Sequence, residues 1–71
     1  MEAKKVGINV KRLMEEKDIT EKELAEKMAI NIKTLSKKLS GKQEFYVSEI
    51  SSITNIFELD IKKCAETFFI D

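Results

Sequence analysis

The sequence predicts an all-α protein, a compact bundle of five short helices, and three observations predict it. Proline is absent and glycine stands only at positions 7 and 41, so little interrupts a helix. Apolar residues recur at helical spacing in five successive segments. Within residues 20–41, two short helical patterns are separated only by Ala29-Ile30-Asn31, a turn so brief that the helices must cross steeply. That stretch is the helix-turn-helix unit around which the remaining helices are expected to pack.

The first helix is expected over residues 3–17. Val6, Val10, Leu13 and Met14 follow the 3.6-residue period, and Ile8 lies off that stripe. Asn9, Lys11, Arg12, Glu15 and Glu16 occupy much of the remaining surface. Gly7 costs the helix about 1 kcal/mol relative to alanine, and its usual meaning at such a place is close contact with another helix. Lys17-Asp18 ends the helix, and Ile19 reads as a buried anchor.

Thr20 can cap the second helix, with Glu23 completing a capping box. Leu24, Ala25 and Met28 form its small apolar face. Asn31 is a good N-cap for the third helix, whose apolar stripe is Ile32, Leu35 and Leu39 and whose stop is Gly41. Residues 42–46 are a connector in which Phe45 turns into the core. A fourth helix runs from about Val47 to Phe57, with Val47, Ile50, Ile53 (or Thr54) and Phe57 on one side and Glu49 suiting the N-terminal dipole. Tyr46 is a poor cap, so its start is placed at Val47 or at Ser48. Asp60 can cap a fifth helix over 61–69, with Ile61, Cys64, Ala65, Phe68 and Phe69 as apolar positions.

The 71 residues are read as one domain, 1–71, with the motif at 20–41. Net charge is zero, but it is unevenly spread. Residues 1–28 hold seven basic and seven acidic groups, and residues 44–71 hold six acids against Lys62 and Lys63. Residues 29–43 carry Lys33, Lys37, Lys38 and Lys42 with no acid. The one clear positive excess falls on the second motif helix and its exit.

Catalysis finds little support. There is no histidine to serve as a base near neutral pH, and no glycine-rich phosphate loop. Cys64 is the only cysteine, which excludes an intrachain disulfide and, without histidine, a nitrogen/sulfur zinc site. It reads as a small core residue. Neither a signal peptide nor a run approaching the roughly 18 apolar residues of a membrane span is present, so cytoplasm is expected. No enzyme activity, cofactor or small-molecule ligand is expected.

The run DITEKELAEKMAINIKTLSKKLSGK resembles the helix-turn-helix of the Cro/C1-type (XRE) family of bacterial and phage repressors. VGINVKRLMEEKDIT resembles that family's first helix, and GKQEFYVSEISSITNIFELDIKKCAETFF the fourth and fifth helices of small prophage versions. Leu24-Ala25, Ile30, Leu35 and Gly41 match the positions that define the motif. The resemblance implies a lambda-repressor-like DNA-binding fold whose recognition helix, about 32–40, lies in the major groove of double-stranded DNA. It assigns DNA contacts to Asn31, Ile32, Lys33, Ser36 and Lys37. A helical wheel instead favours Lys33, Thr34 and Lys37, with Lys38 to one side, and Lys42 follows at the exit. Lys33 and Lys37 satisfy both readings. A lysine can donate to guanine O6 or N7 or neutralise a phosphate.

Three residues depart from the family's pattern. Glu21 stands where many members carry a phosphate-binding glutamine, and its carboxylate would repel the backbone. Ile32 stands where a polar base reader is common; it could meet a thymine methyl or pack inward. Ala29 replaces the frequent turn glycine, and a positive φ there would cost about 1 kcal/mol. The resulting expectation is a transcriptional regulator of the phage or prophage repressor type. It would bind operator DNA as a homodimer through the tail Phe68-Phe69-Ile70. The alternative is a protein-binding adaptor or antirepressor that keeps the fold and binds DNA weakly or not at all. An exposed Ile32, the acidic C-terminal half and Glu21 would suit it.

Overall fold

A computed structural model describes residues 2–69 and contains five helices: α1 (Ala3–Lys17), α2 (Glu21–Met28), α3 (Ile32–Leu39), α4 (Val47–Ile56) and α5 (Ile61–Phe68). Local chemistry starts most of them. Thr20 Oγ1 accepts the Glu23 N–H at 3.1 Å, and Glu23 Oε1 accepts the Thr20 N–H at 2.9 Å, which is the expected reciprocal box. The Thr20 N–H also holds the Glu23 carboxyl below its ordinary value. The stabilisation this brings exists above the unfolded carboxylate pKa and is lost as pH falls through the lowered one. Asn31 Oδ1 accepts the Lys33 N–H and Asp60 Oδ1 the Lys63 N–H, both at 2.7 Å. The fourth helix starts at Val47: Tyr46 lends no side-chain cap, but Glu49 Oε1 accepts the Tyr46 N–H at 2.7 Å.

The first four helices end alike. A left-handed residue closes each: Asp18 (φ 56°) and Ala29 (φ 57°) directly after α1 and α2, Gly41 (φ 83°) and Glu58 (φ 53°) one residue further on, past Ser40 and Phe57. The next N–H then reaches five residues back, from Ile19 to Met14 O, Ile30 to Ala25 O, Lys42 to Lys37 O and Leu59 to Thr54 O, at 2.9–3.0 Å. These are Schellman motifs, which satisfy helix-end carbonyls and seat the following residue on the core. Ile19, Ile30 and Leu59 do pack against the core. Three chain reversals are thus anchored by aliphatic residues that lie outside every helix.

The core combines Val6, Val10, Leu13 and Met14 of α1 with Leu24, Ala25, Leu35 and Leu39 of the motif, closed by Phe45, Ile50, Ile53, Phe57 and Phe68. Gly7 explains how α1 meets α3 so closely: a Cβ there would overlap the Leu39 carbonyl. The Asn9 amide donates to Thr67 O at 3.1 Å and fastens α5 to α1. No described helix is long and apolar enough to cross a membrane.

Two expected faces are corrected. Val47 is 80% exposed, because the inward side of α4 is set by Ile50, Ile53 and Phe57. In α5 the stripe divides. Phe68 is buried and meets Phe45 edge-on, at 6.3 Å between centroids, whereas Ile61 is 91% and Phe69 61% exposed. Consecutive helical positions differ by about 100°, so the two phenylalanines could not share one environment. Phe68 is a core residue and is withdrawn from the expected dimer surface; Ile70 lies outside the described residues.

Candidate nucleic-acid interface

The α3 helix is buried along Leu35, Lys38 and Leu39 and turns Ile32, Lys33, Ser36, Lys37 and Ser40 outward. These positions recur at i, i+1, i+4, i+5 and i+8, one continuous helical face. Asn31, the N-cap, is exposed just before it, and Lys42 just after its end. Thr34 is half-buried on the flank. Ile32 is 45% exposed and so leaves the stripe expected for it with Leu35 and Leu39. The outward set coincides with the residues implied by the family resemblance, plus Ser40, and departs from the wheel-based set.

Lys38 is the correction with most consequence. It was expected among the DNA-contacting residues, yet it is only 1% exposed. Its Nζ lies 2.9 Å from Glu49 Oε1, donates to Glu44 O at 3.0 Å and stands 3.9 Å from the centroid of the Tyr46 ring. Each partner suits a desolvated ammonium: an opposite charge, a carbonyl dipole and an aromatic face. Lys38 therefore cannot reach a groove. It fastens the last turn of α3 to the connector and the start of α4. The sequence held a signal for this, since Lys38 stands one turn after Leu35 and shares its face.

The exposed face carries Lys33 and Lys37, joined by Lys42 at the exit, and no acid occurs between residues 29 and 43. Asn31, Ser36 and Ser40 add short polar groups. The helix is eight residues long, about 12 Å, which is close to the width of a B-DNA major groove. At the start of α2, Glu21 is half-buried and Glu23 is occupied by the Thr20 box.

Comparison with known proteins agrees with this geometry. A family model described as the Cro/C1-type HTH DNA-binding domain matches residues 9–62, taking in α2, α3 and α4 whole and most of α1. No curated protein and no solved structure matches the chain. The matched span includes both motif helices and the turn that sets their crossing, and with it the chain belongs to the Cro/C1-type helix-turn-helix DNA-binding family.

Proposed function

We propose that this protein is a sequence-specific transcriptional regulator of the phage or prophage repressor type, acting on chromosomal DNA in the cytoplasm. The reading rests on the outward face of α3, where Lys33, Ser36 and Lys37 stand together on an acid-free segment of a Cro/C1-type motif. With α3 in the major groove, Asn31, Ile32, Lys33 and Ser36 meet base edges, Ile32 suits a thymine methyl, and Lys37 and Lys42 meet phosphates. Two copies would join through a mainly apolar groove beside α5, lined by Ile61, Cys64, Ala65 and Phe69 with Thr54 of α4 and Leu59 and Asp60 of the link. A two-fold dimer would present its two α3 helices about one DNA turn apart.

The half-exposed Ile32 favours a second reading, a protein-binding adaptor on the same fold. Titration with mixed-sequence duplex at two salt concentrations separates the two. A DNA-binding protein shows a steep negative dependence of log K on log salt, from displaced counterions. Lys33→Glu with Lys37→Glu should weaken binding more than about tenfold at low salt while far-ultraviolet circular dichroism stays unchanged, because both side chains are exposed. Undetectable binding of the wild type at low salt would leave the adaptor reading.

A further inference from the structure

The sequence places Lys4 at the far end of the first helix from the motif, yet the fold brings it to the exit of α3. A methyl group built on Gly41 would stand 2.8 Å from Lys4 Cα and 3.1 Å from Lys4 N. Gly41 must therefore lack a side chain for α1 to approach as it does, apart from its left-handed φ. Consecutive Cα atoms are about 3.8 Å apart, so Lys4 and Lys42 have their Cα atoms within roughly 8 Å of one another. The Lys42 N–H donates to Lys37 O at 2.9 Å, which folds Lys42 back against the last turn of α3. Lys4, Lys37 and Lys42 are all exposed, and their backbones lie at or next to that turn. Lys5, next to Lys4, already meets Glu2 at 3.8 Å.

From this juxtaposition we infer that Lys4 and Lys42 form a two-lysine clamp for a phosphate of the DNA backbone, one lysine from each side of the α1–α3 contact. The inference rests on the DNA-binding reading above. A helix-turn-helix directs the first residues of its second helix to the bases. The far end of α3, about 12 Å on, then emerges over the backbone at the groove's edge. That is where Lys4 and Lys42 stand, both exposed and with adjoining backbones. Gly41 links the two lysines physically, which explains why a residue without Cβ stands there.

Lys4→Gln tests the clamp on the full chain, with a mixed-sequence DNA duplex as probe and binding measured across a salt series. The slope of log K against log salt should become shallower by about 0.9, and affinity near 0.1 M salt should fall roughly fivefold to tenfold. Lys62→Gln, which removes an exposed lysine from α5, should leave the slope unaltered. An unchanged slope for Lys4→Gln, with wild-type binding intact, overturns the clamp and leaves the DNA-binding reading standing. The same follows if Lys4→Gln alters only thermal stability, as expected of a lysine that merely balances the α3 dipole. Equal slope changes in both variants also overturn it, since net charge alone would then account for them. No binding by the wild type overturns the DNA-binding reading and the clamp together.

Discussion

Ala29 carries the clearest local strain in the motif. It ends α2 in the left-handed region at φ 57°, where a Cβ crowds the backbone at a cost of about 1–2 kcal/mol. The strain is tolerated because the geometry lets Ile30 donate to Ala25 O and sit against the core. Ala29→Gly should relieve it. The gain is partly offset by the greater entropy of glycine in the unfolded chain. A net stabilisation of about 0.5–1 kcal/mol is expected, read as a rise in the thermal midpoint of a few degrees. A lowered midpoint would mean that the Ala29 methyl contributes packing that outweighs its strain. The cost was foreseeable from the alanine's place in a three-residue turn; that the backbone accepts it was not.

Among the elements, α3 depends most on what surrounds it. Its outward face was largely legible, since Leu35 and Leu39 set the inward direction and Lys33, Ser36 and Lys37 lie opposite. The burial of Lys38 is only partly legible in the sequence, because a lysine is ordinarily solvated and its partners come from residues 44–49 across a connector. Removing one member of a buried pair leaves the other desolvated and unpaired. Lys38→Ala should therefore destabilise the protein by about 3 kcal/mol in urea unfolding, at the lower end of such losses because Glu49 retains slight solvent access. Lys37→Ala, one residue away but exposed, should change stability by less than about 0.5 kcal/mol. Similar values for the two variants would show that the Lys38–Glu49 contact does not hold α3 in place.

For the whole molecule, a radius of gyration of 10.8 Å is close to the value of about 11 Å expected for a compact chain of this length. A core this small leaves some apolar side chains uncovered, and α5 shows where. Ile61 and Phe69 project from the groove proposed as the dimer surface, while Phe68, once grouped with Phe69, supports the core against Phe45. Phe69→Ser should shift the monomer–dimer balance toward monomer in analytical ultracentrifugation and leave the fold intact. An unchanged balance would exclude Phe69 from the contact between copies.

The sequence by itself determined where the helices lie. Periodicity, the Thr20, Asn31 and Asp60 caps and the Gly41 stop act over three to five residues, and interactions that local survive without knowledge of the fold. It also carried the motif by which the family is recognised. The tertiary structure decided which side of each helix faces outward and which charges are spent inside. Glu44, Tyr46 and Glu49 draw Lys38 inward, Phe45 meets Phe68 in the core while Phe69 stays exposed, and the missing Cβ of Gly41 lets Lys4 approach the end of α3. Burial is settled by partners distant in sequence, and a helix's own pattern does not contain them.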